Sequence, residues 1–465
     1  YRTVKLWNLS PVKHKVANTY EDGIAQAVNG RLNIRTHFTP PADFTCLFVK
    51  LLPTVKSAQE TLDKRVAEIL RVKFWLGLFD NPYRGNGKQA EQIVHSKEHQ
   101  AVSLEAARQS LVLLKNEMNL LPLSKSLRSI AVIGPNADER TQLICRYGPA
   151  NAPIKTVYQG IKERLPHTEV IYRKGCDIID PHFPESEVLD FPKTTEEARL
   201  MEEAIHAAKQ AEVVVMVLGG NELTVREDRS RTSLNLPGRQ EELLKAVCAT
   251  GKPVVLVLLD GRASSINYAA AHVPAILHAW FPGEFCGQAV AEALFGDYNP
   301  GGRLAVTFPK SVGQIPFAFP FKPGSDESSS TSVYGVLYPF GHGLSYTTFS
   351  YGDLKISPLR QGVQGDINIS CKIKNTGKIK GDEVVQLYLR DEVSSVTTYT
   401  KVLRGFERIS LEAGEEQMVH FRLRPQDLGL WDKNMNFRVE PGKFKVMIGS
   451  SSTDIRLHGR FEIAP

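Results

Sequence analysis

The sequence predicts a multidomain α/β plus β protein, in which an α/β domain with a mostly parallel sheet is followed by an all-β domain. Three observations carry that reading. At 465 residues the chain exceeds what one core organises, so two or three domains are expected. Between about 119 and 325, short β-branched apolar runs alternate with helical patterns, and this alternation calls for right-handed crossovers with helices on both faces of a sheet. Beyond about 351 the hydrophobic period changes to two, with turn residues between the runs.

Composition excludes several classes. Hydrophobic residues at 42% and charged ones at 23% are ordinary for a globular protein. The net charge of +6 is small for this length and Lys and Arg are scattered, so nucleic acid is not an expected partner. No apolar run approaches the roughly 20 residues of a membrane helix, and no membrane partner is expected. Cys46, Cys145, Cys176, Cys248, Cys286 and Cys371 are spread without a C-x-x-C and read as independent buried thiols. The sequence opens at Tyr1 with neither Met nor a charged-then-apolar leader, which leaves the compartment open. Asn8-Leu9-Ser10 and Asn368-Ile369-Ser370 match the glycosylation acceptor pattern, which chance supplies in most chains this long.

Taken in order, residues 20–29 form a short helical pattern, and RLNIRTHFTPP is strand-like until two prolines stop it. Leu62, Val66, Ile69, Leu70 and Phe74 recur at helical spacing, which predicts an amphipathic helix over 58–77, broken by LGLFDNPYR. A helical pattern continues over 92–118. Within it His95 and His99 lie four apart, as metal ligands sometimes do, but no third ligand is placed and exposed helix residues are the expected reading. Asp22, Asp43, Asp63 and Asp80 fall in helix starts or turns, where capping or solvent roles are expected.

Strands are expected at 129–135, 168–175, 213–220, 253–262 and 275–283, with helices between them such as 194–211, starting near Thr195 and Glu197, and 238–251, stopped by Gly251 and Pro253. The run VVVMVLGG at 213–220 reads as a strand buried on both faces. A charged loop follows, with Glu222, Arg226, Glu227, Asp228, Arg229 and Arg231. Ligands of open α/β sheets bind beyond the carboxyl ends of the strands, where such residues can meet a substrate, although a solvated, salt-bridged loop has the same composition. Glycines also mark the strand ends at Gly134 and Gly261, but neither G-x-G-x-x-G nor G-x-x-x-x-G-K-[ST] is present, so tight turns are expected there rather than a nucleotide site. Trp280 at a strand end can stack on a sugar or pack in the core. Arg303 reads as a structural ion pair or a site residue, and His342 as packing or a hydrogen bond. GSDESSS at 324–330 is a loop tip, and the aromatic-rich 334–351 an ordered linker pinned to both neighbours. The alternating strands from 351 onward predict a β-sandwich of the fibronectin type III kind, with no aromatic platform that argues for sugar binding.

Several stretches carry a resemblance when taken together: TLDKRVAEILRVKFWLGLFDNPY (61–83), EAARQSLVLLKN (105–116), RTSLNLPGRQEELLKAV (231–247), Trp280-Phe281-Pro282-Gly283, GDYNPGGRLAVTFP (296–309) and YPFGHGLSYTTF (338–349). They resemble the C-terminal half of glycoside hydrolase family 3, the retaining β-glucosidases, β-xylosidases and relatives. The resemblance implies a C-terminal remnant of a (β/α)8 catalytic barrel at 1–85, a linker and helix at 86–118, an α/β sandwich at 119–325, an aromatic-rich linker at 326–350 and a fibronectin type III-like domain at 351–465. A whole barrel takes roughly 250 residues, so most of it is not in this sequence.

The register set by Arg231 and Leu236-Pro237-Gly238 implies that Glu227 is the general acid/base, with Glu222 as second choice. Asp228 stands where the family has Gly and Ser230 where it has Asp. Arg226, Arg229 and Arg231 would orient the loop or the substrate, with Trp280 beside them. A retaining glycosidase needs two carboxyl groups about 5 to 5.5 Å apart. The family's nucleophile, an Asp in an S-D-W-like motif, is not found here. The expectation is therefore a β-glycosidase for terminal non-reducing β-D-glucosyl or β-D-xylosyl residues of an oligosaccharide or β-glycoside, incomplete and inactive as this chain alone. The resemblance implies no cofactor or metal, admits a homodimer, and favours a periplasmic or secreted location. The alternative is a non-catalytic carbohydrate-binding or scaffold protein derived from such an enzyme.

Overall fold

The computed structural model describes residues 3–4, 15–35, 42, 45–46, 49, 58–83, 85–140, 148, 152–227, 229–324 and 333–465. It divides after Ser96 into two compact units. In the first, β1 (Thr3–Val4) pairs in parallel with β2 (Ile34–Arg35). Helix α1 (Tyr20–Asn29) is capped by Thr19, whose hydroxyl accepts the Asp22 N–H, and buries Ile24 and Ala27. Helix α2 (Ala58–Trp75) forms as its spacing predicts, yet Val66, Leu70, Phe74 and Trp75 on it are exposed. Helix α3 (Gly87–Ile93) starts at Asn86, whose side chain accepts the Gln89 N–H. Asp22 and Asp63 accept hydrogen bonds from Gln26 and Gln59 respectively, which are local roles. Asp43 lies outside the described residues.

The second unit begins with α4 (Lys97–Ser110). The helical reading of 92–118 is corrected here: α3 and α4 are separate, and Val112–Asn116 is a strand, β3. It joins a six-stranded sheet with β4 (Ser129–Ile133), β5 (Glu169–Arg173), β6 (Val213–Gly219), β7 (Val254–Leu259) and β8 (Ala275–His278), in the order β3-β8-β7-β6-β4-β5. All neighbours are parallel except β3, which runs antiparallel to β8 along one edge. Every residue of β4, β6, β7 and β8 is buried, because helices cover both faces. One face packs Val132, Val215 and Val257 against α4, α5 (Val157–Arg164) and α9 (Cys286–Leu294). The other packs Ile133, Met216 and Leu256 against α6 (Thr195–Gln210), α7 (Gln240–Cys248) and α8 (Asn267–His272). Helix α6 starts at Thr195, where a start is expected. Thr194 is the cap, its hydroxyl accepting the Glu197 N–H while the Glu197 carboxylate accepts the Thr194 N–H.

The final domain is a β-sandwich. One sheet runs β9 (Phe349–Ser357), β11 (Ile367–Asn375), β14 (Glu416–Leu423), with β11 central; the other has the order β10 (Arg360–Gly362), β18 (Ile455–Ala464), β17 (Gly442–Gly449), β12 (Gly381–Asp391), β13 (Val402–Leu411). A hairpin of β15 (Leu430–Trp431) and β16 (Phe437–Arg438) follows the short helix α10 (Pro425–Leu428). The alternating residues Ile369, Cys371, Val385, Leu387, Phe444 and Val446 fill the space between the sheets.

The aromatic linker is ordered, as its composition suggests. Tyr338 bridges to Phe308 and Leu344 to Leu113, and His342 stacks on Tyr338 with its Nε2 2.9 Å from the Leu114 carbonyl oxygen. Arg303 is the structural ion pair: its Nη2 donates to Glu383 at 2.9 Å with both side chains buried, joining the α/β domain to β12. The thiols are not all interior. Cys176, Cys286 and Cys371 are buried, Cys248 is half-buried and Cys46 is exposed, while Cys145 lies outside the described residues.

Candidate active site

The charged loop after β6 owes its position to close packing of strand ends. The chain passes from β4 to its outer neighbour β5, then reverses to β6 on the other side, so the β4/β6 boundary is the topological switch point where such sheets hold ligands. Gly134 ends β4 with φ +137°, and a Cβ there would stand 2.1 Å from the Val217 carbonyl oxygen. Gly219 ends β6 with φ +134°, and a Cβ there would stand 2.0 Å from the Leu259 carbonyl oxygen. Glycine is required at both because the adjoining strand's backbone occupies the space.

Side-chain amides then lock the strand ends. Gln240, buried at the start of α7, accepts the Gly219 N–H at 2.7 Å and donates to the Gly219 carbonyl at 2.8 Å. Asn136 donates to the carbonyls of Gly220 at 3.1 Å and Leu259 at 3.3 Å, tying the exit of β4 to those of β6 and β7.

From this root the loop makes a buried turn. Asn221 accepts the Leu223 N–H on its side chain at 2.9 Å and the Thr224 and Val225 N–H groups on its carbonyl at 3.0 and 2.7 Å. Arg262, just past β7, reaches over it: Nε and Nη2 donate to the Thr224 carbonyl at 3.3 and 3.1 Å, and Nη2 also donates to the Arg229 carbonyl. Beneath lies Asp260, fully buried, holding the Ser264 hydroxyl at 2.6 Å and the Arg262 N–H at 3.1 Å. Burial pushes its carboxyl above the ordinary value, against these hydrogen bonds and the Arg231 and Arg262 charges.

The far end is tied by a buried ion pair between Arg231 Nε and Glu187, and Glu187 also accepts the Thr232 N–H at 2.9 Å and hydroxyl at 2.8 Å. Burial works to raise the Glu187 carboxyl, but the Thr232 and Arg231 hydrogen bonds prevail and hold it below the ordinary value.

Between these fixings Glu227 is exposed on the loop, and Arg229 is exposed near it. Arg226 is half-buried, its Nε enclosed without a hydrogen-bond partner among the described residues. Glu222 is half-buried in the turn at the root. Asp228 lies outside the described residues. The structure thus separates the expected cations: Arg231 is committed to Glu187, whereas Arg226 and Arg229 stay close in the chain to Glu227.

Trp280 follows β8 with φ +56° and is half-buried. Its ring packs edge-on against His278 at 4.1 Å and Phe308 at 6.3 Å between centroids. These contacts are packing on one side of a ring that stays partly exposed. His278 is fully buried, and desolvation lowers its pKa to about 3, so it stays neutral with Nδ1 3.2 Å from the Leu258 carbonyl oxygen. The next residue, Phe281, adjoins the loop, since a Cβ on Gly261 would meet both Val225 and the Phe281 ring. Among the described residues no three His, Cys, Asp or Glu side chains gather for a metal ion.

Two residues that position the loop were not singled out from sequence. Arg262 sits in a recognisable strand-end turn, LLDGR, which carries a weak signal. Glu187 has none, being 44 residues before Arg231 in a short 3-10 turn (Glu185–Glu187).

Comparisons with known proteins bear on this site. Residues 111–346 match the glycosyl hydrolase family 3 C-terminal domain, and 383–452 a fibronectin type III-like domain. Similar proteins include a β-xylosidase of Formosa agariphila, 41% identical over 404 residues (84% of this chain, 54% of that protein). They also include a periplasmic β-glucosidase of Salmonella typhimurium, 37% identical over 484 residues (97% and 61%). Among solved structures, a β-glucosidase from Erythrobacter marinus superposes with a TM-score of 0.89 at 34% identity, covering 99% of this chain and 62% of its own. A β-glucosidase from Listeria innocua in complex with glucose gives 0.84 at 28% identity, covering 97% and 61%. The chain therefore spans between 54% and 62% of the length of these relatives.

Proposed function

Because the chain belongs to glycosyl hydrolase family 3, we propose that it carries the proton-transfer part of a retaining β-glycosidase for terminal β-D-glucosyl or β-D-xylosyl residues, with Glu227 as general acid/base. The observation that carries this reading is an exposed carboxylate on a loop fixed at both ends beside the switch point of a parallel sheet. A general acid must reach a bound substrate while its backbone is held still, and the exposure of Glu227 between two fixed loop ends supports that role.

In the proposed reaction a nucleophilic carboxylate attacks the anomeric carbon while Glu227 protonates the departing glycosidic oxygen. Glu227 then takes a proton from water, and the hydroxide so formed breaks the glycosyl ester, restoring both carboxyl groups. A guanidinium close to Glu227 would favour its ionised form, against its role as an acid; Arg231 is committed to Glu187, and a second carboxylate near the bound sugar would favour the protonated form.

The nucleophile is assigned to the part of the family's length that this chain does not span. Two facts support that division: relatives exceed the chain by more than a third of their own length, and α2 exposes Val66, Leu70, Phe74 and Trp75, a large apolar face for a surface helix. The non-catalytic alternative is not favoured, since the relatives named above are β-glucosidases and β-xylosidases.

The test is an assay with 4-nitrophenyl β-D-glucoside and β-D-xyloside. This chain alone is expected to give no turnover, and one polypeptide joining it to a nucleophile-bearing family 3 barrel is expected to be active. Turnover by the isolated chain that Glu227→Ala abolishes would locate the nucleophile within it and overturn the division.

A further inference from the structure

The fibronectin-like domain contains a cleft of about 380 Å³, large enough for sugar residues. It lies where the end of β12 and the start of β13 meet the 396–399 loop and the β15–β16 hairpin, entirely within one domain apart from Lys322 at its edge. Its floor is apolar, with Leu389 and Phe444, and its walls are of another kind.

Two aromatic rings line it while remaining open to solvent, Trp431 at 58% and Tyr399 at 43% exposure. Trp431 is not loose, since Phe437 on the paired strand of the hairpin braces its ring at 5.5 Å and 60°. Lys322 stands 6.0 Å from the Tyr399 ring centre, and the loop carrying Tyr399 is fixed because the Thr400 N–H donates to the Phe321 carbonyl at 3.0 Å. Pre-positioned rings of this type suit a ligand with an apolar face.

Four charged side chains line the cleft, Lys322, Asp391, Arg404 and Asp427, and Asp427 is held by Arg424 at 3.5 Å. Asp391, half-buried at the end of β12, is in no ion pair among the described residues, and the Val393 N–H donates to its carboxylate. Arg404 has no ion pair among them either, and it is the extra residue of a bulge: Gly405 pairs with Leu387 and Leu403 with Tyr388, leaving Arg404 unmatched. Bulges redirect a side chain out of the regular alternation, and this one delivers a guanidinium to the cleft wall. One backbone donor leaves the other acceptor positions of the Asp391 carboxylate open to hydroxyl groups.

A ligand that satisfies all four features must have an apolar face, hydroxyl groups that donate to Asp391, oxygens that accept from Arg404, and no net charge to be repelled by either. We propose that this cleft is a binding site for a neutral oligosaccharide, stacked on Trp431 and Tyr399 and hydrogen-bonded to Asp391 and Arg404. The site is non-catalytic, separate from the loop after β6, and independent of the assignment of Glu227. Tyr399 and Trp431 are far apart in sequence, and only the folded loop and hairpin bring both to one cleft.

Isothermal titration of the whole chain with cellotetraose and with xylotetraose tests it. Saturable binding to at least one sugar is expected, weakened tenfold or more by Trp431→Ala and by Asp391→Asn. Tyr399→Ala, read alongside a thermal melt, guards against a Trp431 variant that fails to fold. Absence of saturable binding to both sugars, or binding that well-folded Trp431→Ala, Tyr399→Ala and Asp391→Asn proteins retain in full, overturns the proposal.

Discussion

Glu227 and Arg231 lie four residues apart and do opposite work. Arg231 and Glu187 form an ion pair with side chains only 3% and 4% exposed, and removing one member of such a pair leaves a buried charge uncompensated. Arg231→Ala should therefore destabilise the second unit by about 3–5 kcal/mol in chemical denaturation. Glu227→Gln, at an exposed position, should change stability by no more than about 0.5 kcal/mol. The pair also sets a pH dependence. The folded-state pKa of Glu187 lies below its ordinary 4.5, so its contribution is fully present above that value and is lost as pH falls through the lower folded one. The stability gap between wild type and Glu187→Gln, measured by denaturation, should be constant at neutral pH and narrow below about pH 4.5. At this scale the charged loop after β6 was legible in its motif, including Arg231, which ties its far end. Sequence failed where a contact spans distance in the chain, as for Glu187.

Among elements, the strands were the most legible. Consecutive β-branched residues in β4, β6 and β7 leave no helical alternative that buries them so fully. The run Leu111–Leu114 is different, because four apolar residues continue a helix or begin a buried strand with equal ease by periodicity alone. What decides for the strand is the edge of β8, whose backbone groups pair with Val112 to Asn116. The starts of α1, α2 and α6 were legible to the residue, whereas α7 begins inside its expected range. For α6 the reciprocal hydrogen bonds of Thr194 and Glu197 make a specific case: Thr194→Ala should cost about 1 kcal/mol in a denaturation experiment, and Thr195→Ala much less. Helices α5 and α9 escaped notice, the latter because its buried side chains are mostly small, Ala289, Ala291 and Ala293 among them.

Over the whole molecule, the order of an α/β sheet, an aromatic linker and a β-sandwich follows from the change of hydrophobic period and from motif order. The joint between the last two domains does not. It depends on Arg303 meeting Glu383 and on Asn299 donating to the Lys380 carbonyl at 3.0 Å, contacts that bring the 296–309 motif against β12. Glu383→Ala should lower stability by about 3–5 kcal/mol, read as an earlier thermal transition of the second unit, because Arg303 would keep its charge in a buried setting. The same joint holds the sandwich, with its proposed sugar cleft, to the domain that carries the Glu227 loop.

The most direct measurement compares leaving groups. In a polypeptide uniting this chain with a nucleophile-bearing family 3 barrel, Glu227→Ala should reduce kcat/KM by about 10²–10⁴ on an aryl β-glycoside whose leaving group needs protonation, and far less on a 2,4-dinitrophenyl β-glycoside, which departs unprotonated. Equal losses on both substrates, or no loss on either, would contradict Glu227 as the proton donor.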